Sequence, residues 1–164
     1  MSPIEWLCDK SLSFKELAPH DRDAIMHFTL LWSYFEGQAL ENNASPKKIV
    51  DSAGRFERLG RLKPAALEVD LAYFQDRYFQ NGDFTWRFEG LFRENLDKEA
   101  LDLVRSVLNG KRTNNGDRIA ALLLIIYRLR NRLMHGDKWD EDLGGQIDNF
   151  MHANNVLMKA LETV

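Results

Sequence analysis

Residues 122–139 read LLLIIYRLRNRLMHGDKW, and the spacing of their side chains decides the fold class. A helix turns about 100° per residue. Ile119, Leu122, Ile126, Leu129 and Leu133 are spaced three and four apart, so they fall on one side and form a core stripe. Roughly opposite lie Leu124, Arg128, Asn131 and His135, with Asn131 and His135 one turn apart. Arg130 sits between the two faces. Gly136 suits a left-handed cap, so a helix is expected from Asp117 to His135. A face that mixes one leucine with Arg, Asn and His suits a partly buried polar interface. The expectation is a homodimer through the face bearing Asn131 and His135.

Outward from this segment the pattern stays helical. Ile25, Phe28, Trp32, Phe35 and Ala39 make one face of a helix over about Asp21–Asn42. Met26, Leu30, Leu31 and Tyr34 make its other sides apolar too, which predicts central burial or a partner. Ser45-Pro46 opens a helix that should stop at Gly60. Pro64 opens the next, with Leu67, Leu71, Phe74 and Tyr78 as its stripe. Asn81-Gly82 between aromatic runs is a hairpin signal, while Phe84–Phe92 reads as a strand or, preferably, a short helix. Leu96–Leu108 is a helix with Leu101, Val104 and Leu108 on one side. The last runs from about Gly145 to Glu162, with Ile147, Phe150, Met151, Asn154, Leu157, Met158 and Leu161 inward. The fold class is therefore all-α: a helical bundle of about six or seven helices, in a single domain over residues 1–164, with 1–19 as a lead-in.

Composition narrows the function. The 164 residues contain one cysteine, Cys8, so no internal disulfide can form and a reducing, cytoplasmic setting is expected. Met1–Lys10 lacks a basic stretch followed by an apolar run, so no signal peptide is expected. The apolar run Ala120–Tyr127 falls far short of the ~20 residues a membrane span needs. Net charge is −3, which argues against a broad nucleic-acid groove. Yet residues 110–138 carry 7 Lys and Arg against 2 Asp and Glu, a basic island able to hold a phosphate or two.

The end of that island carries residue types suited to phosphate chemistry. Histidine serves as general acid or base near neutral pH. Arginine stays charged and clamps phosphate oxygens with two parallel bonds. Asparagine orients a neighbour or holds a substrate hydroxyl. The four histidines, His20, His27, His135 and His152, lack ligand spacing, so neither a metal nor any other cofactor is expected. Cleavage without a metal suits RNA, which brings its own nucleophile in the 2′-hydroxyl. The same cluster also fits a plain helix C-terminus, where the dipole favours basic residues.

Arg130-Asn131-Arg132-Leu133-Met134-His135 resembles the signature of the HEPN superfamily: Arg, four to six residues, then His, with a polar residue commonly after the Arg. Gly136, the long apolar helix before it and the amphipathic helix after it match that context. The aromatic segment Phe28-Thr-Leu-Leu-Trp32-Ser-Tyr-Phe-Glu36 is similar to the family's opening helix, so the resemblance spans about Asp21–Leu161. It implies a paired helical bundle and a metal-independent endoribonuclease of toxin–antitoxin or phage-defence type. It implies His135 as acid/base, Arg130 as stabiliser of the transition state and Asn131 as an auxiliary polar group. Other family members are non-catalytic modules, so pairing with a nucleotidyltransferase or antitoxin partner is the alternative. Arg128 also fits the motif spacing and shares the His135 face better. Arg132 is a second local competitor. Lys138 and Glu36 complete the auxiliary set, Glu36 falling near the apolar stripe of the first helix, where an arginine could pair with it.

Overall fold

The computed structural model describes residues 1–93, 97–136 and 142–164. Helix α8, Asn115–Met134, is its axis. Asn114 caps it, its side chain accepting from the backbone of Asp117 at 2.8 Å. Ile119 to Ile126 are all buried. Eight consecutive residues cover every azimuth of a helix, so α8 is enclosed rather than amphipathic over its first half. The single core stripe read from the sequence is thus too narrow, because Ala120, Ala121, Leu123, Leu124 and Ile125 are as dry as Ile119 and Leu122.

Around α8 the described residues form eight further α-helices. The lead-in contains α1 (Pro3–Lys10) and α2 (Leu12–Lys15). Then follow α3 (Pro19–Ala39), α4 (Pro46–Leu59) and α5 (Glu68–Tyr78), the last preceded by a 3-10 turn over Pro64–Leu67. After them come α6 (Trp86–Leu91), α7 (Lys98–Leu108) and α9 (Ile147–Leu161). Helix α4 lies along α8 on one side and α7 on another, while α3 and α9 pack along each other. The fold is an all-α bundle, and none of its described helices is long and apolar enough to cross a membrane.

Local chemistry sets the boundaries. Ser45 caps α4, and Gly60 ends it with φ of 61°. Glu41 and Asn42 turn to positive φ, and the Asn42 N–H returns to the Glu36 carbonyl, so α3 stops at Ala39 rather than Asn42. At Asn81-Gly82 both sequence signals are realised in succession. Asn81 and Gly82 take φ of 52° and 82°, closing a two-residue hairpin turn between β1 (Phe79–Gln80) and β2 (Asp83–Phe84). Phe79 pairs with Phe84, their rings 5.0 Å apart. Thr85 then caps α6.

Two expectations about helix faces are corrected. Met151 and Met158 on α9 are 56% and 48% exposed, not inward, because that face of α9 lies outside its contact with α3. The Leu124–Arg128 part of the face assigned to a second subunit is already covered within the chain, with Leu124 fully buried and Arg128 only 7% exposed. The expected start of this bundle's seventh helix at Leu96 lies outside the described residues; α7 begins at Lys98, and Asp97 caps it by accepting from the Ala100 N–H at 2.8 Å.

Candidate functional site

The last two turns of α8 point basic side chains in two directions. Arg130 goes towards α3. Its Nη1 donates to Asn131 Oδ1 at 3.0 Å, and its Nη2 stands 3.7 Å from Glu36 Oε2. The guanidinium also lies over the Trp32 ring, 6.0 Å from the centroid. Glu36 is itself fixed: the Trp32 indole N–H donates to Oε2 and the Ala44 backbone N–H to Oε1, each at 3.0 Å. Arg130 is thus oriented by a carboxylate held from two sides. Its Nε is buried and finds no hydrogen-bond partner among the described residues.

His135 closes the helix. Its backbone N–H bonds to the Asn131 and Leu133 carbonyls, Gly136 follows with φ of 78°, and the residue is exposed. Five residues of helix place Arg130 about 140° round the axis from His135. One chain therefore does not bring Arg130 and His135 together on one face. Asn131 lies one turn from His135 and is half-buried.

Arg128 and Arg132 go the other way, towards α6. Arg128 Nε donates to the Leu91 carbonyl at 3.1 Å, and Arg132 Nη1 to the Gly90 carbonyl at 2.6 Å. Both line a groove of about 580 Å³ whose walls also hold Arg77, Arg87, Arg93 and Trp86. Asp142 is the one carboxylate among the described lining residues, and His135, Arg130 and Asn131 are not among them. Arg77 reaches across to the Gly145 carbonyl at 3.0 Å. Beneath, burial holds the Tyr78 phenol well above its ordinary range, an effect that the neighbouring Arg77 opposes. Lys138 lies outside the described residues.

The sequence brought out Arg128 and Arg132 but not Arg77, Arg87 or Arg93. Those three stand within residues 1–109, where 18 Asp and Glu outnumber 14 Lys and Arg, and only the hairpin, folding α6 back beside α5, gathers them. A second cluster also went unread. Asp70 is fully buried on α5. It accepts from Asn155 at 2.9 Å and from Lys159 at 3.2 Å, and His152 Nδ1 stands 2.9 Å from its Oδ1. Tyr73 stacks on His152 with centroids 4.0 Å apart. All three partners sit on α9, one or two turns apart, so this is a bolt between α5 and α9. A pattern of His, Asn and Lys at positions 152, 155 and 159 shows a polar helix face but not the carboxylate it meets.

Among the described residues no group of three or more His, Cys, Asp or Glu is placed to hold a metal ion. No family model, curated protein or solved structure matches the chain.

Proposed function

We propose that the chain is a metal-independent endoribonuclease of HEPN type, cytoplasmic and of the toxin or phage-defence kind, working as a homodimer. The observation that carries this is the braced arginine: Arg130 is aimed by Asn131, Glu36 and Trp32 in a motif that ends at an exposed His135. At 3.7 Å the Glu36 oxygen lies beyond hydrogen-bond reach of Nη2, so it orients the guanidinium without occupying that donor. Preorganised donors of this kind stabilise charge that develops during reaction.

The chemistry follows from RNA's own hydroxyl. A His135 imidazole takes the 2′-hydroxyl proton as that oxygen attacks phosphorus. A protonated His135 gives its proton to the departing 5′-oxygen. Arg130 holds the non-bridging oxygens as negative charge builds. The products are a 2′,3′-cyclic phosphate and a 5′-hydroxyl. Because one chain separates Arg130 from its His135, the complete site needs a second copy, which also supplies the second imidazole. Helix α3 offers a surface for it: Met26, Leu30 and Tyr34 stand exposed at intervals of four.

A non-catalytic module that docks a nucleotidyltransferase or antitoxin partner is favoured by the Glu36 charge beside Arg130, which partly neutralises it. RNA cleavage in EDTA separates the two. Wild type should cleave and leave cyclic phosphate ends, while Arg130→Ala and His135→Ala should each lose at least 100-fold, in line with removal of a charge-stabilising donor or an acid/base group. Folded, dimeric wild type that leaves varied RNAs intact would sink the nuclease and leave the docking module.

A further inference from the structure

We infer that the arginine groove between α5, α6 and α8 is an anion site of its own, built for a ligand that carries two or more adjacent phosphate groups. Five arginines line it against one carboxylate among the described residues, in a chain whose net charge is −3. Gathering like charges in one concavity destabilises the folded state unless something repays it, and a multivalent anion does so directly.

Two of the arginines donate to neutral acceptors: Arg77 to the backbone carbonyl of Gly145 and Arg132 to that of Gly90. Such bonds fix a guanidinium in place and leave its full charge, which is what a phosphate clamp requires. Arg77 Nε is buried and has no hydrogen-bond partner among the described residues. Arg87 and Arg93 are exposed on the rim. A guanidinium forms no chemical bond with its ligand and keeps its charge at any working pH, so the site selects by charge density and geometry. One phosphate cannot engage five guanidinium groups spread around about 580 Å³, whereas a di- or triphosphate spans several.

Two sources supply that chemistry: a free oligophosphate, or the phosphate tail of a nucleotide. Trp86 bears on the difference. It opens α6 at the groove, is 75% exposed, and has the Arg87 guanidinium 4.7 Å from its ring centroid. An exposed indole beside a phosphate site is a stacking platform for a base. The groove does not include Arg130, Asn131 or His135, so its occupancy is separable from RNA cleavage.

Titration calorimetry on the full chain at fixed ionic strength tests this with orthophosphate, pyrophosphate, inorganic tripolyphosphate and ATP. Tripolyphosphate should bind once per chain and at least 100-fold more tightly than orthophosphate. The double variant Arg87→Ala/Arg93→Ala removes two exposed side chains that donate no hydrogen bond among the described residues. It should keep the ligand-free melting temperature and lose at least tenfold in tripolyphosphate affinity. Arg61→Ala/Lys63→Ala, which removes two equal charges outside the groove, should bind as wild type. Trp86→Ala assigns the source: a loss confined to ATP identifies a nucleotide, and unchanged binding of both identifies a free oligophosphate. Equal affinity for ortho- and tripolyphosphate, or equal losses in the two double variants, would overturn the site.

Discussion

Asp70 and His135 show how differently two polar residues of one chain can be held. The Asp70 carboxylate is fully buried, and both of its oxygens are engaged from α9 by Asn155, Lys159 and His152. Deleting it leaves the Lys159 charge and the His152 and Asn155 donors without their acceptor. Breaking a buried pair in this way costs about 3–5 kcal/mol. Asp70→Ala is therefore expected to lose that much in chemical denaturation. His135→Ala should stay within about 0.5 kcal/mol of wild type, as an exposed side chain does. A larger loss at His135 than at Asp70 would mean that the histidine is packed, and would count against its role as acid/base.

At the scale of elements, α8 and α9 answer to opposite rules. Ile126 is enclosed, so Ile126→Ala opens a cavity and should cost about 2–5 kcal/mol. Met158 is half exposed, and Met158→Ala should change stability by less than about 0.5 kcal/mol. Denaturant midpoints of the two variants check both. This contrast marks what sequence can carry. Caps, stops and turns were legible because they are local: Ser45, Gly60, Asn81-Gly82 and Gly136 each act on their own neighbours. The type of every long helix was legible from spacing. Which apolar residue of α9 faces inward was not, since Met151 and Phe150 are equally greasy and only the position of α3 chooses between them. The site divides the same way. Arg130, Asn131 and His135 stand within one short motif, whereas Arg77 and Arg93 join Arg128 only after the chain has folded back twice.

At the scale of the whole molecule, the proposed nuclease needs two copies. Leu30 is 68% exposed at the centre of the Met26–Leu30–Tyr34 row on α3. If that row is the dimer surface of the proposed nuclease, Leu30→Asp should give a monomer by sedimentation with an unchanged far-ultraviolet spectrum. RNA cleavage should fall in step with dimer content. A dimer that survives Leu30→Asp would move the contact to another face.

The pairing of α3 with α9 has a consequence for biosynthesis. Phe28 and Phe150 stack 5.0 Å apart, yet most of the chain is made between them. While the ribosome adds that length, the inner face of α3, with Phe28, Trp32 and Phe35, has no α9 to cover it. Contacts between segments so distant in sequence form late, because the long loop must close first. Nascent chains should therefore stay open to chaperones and proteases until α9 has emerged, and become resistant abruptly rather than helix by helix.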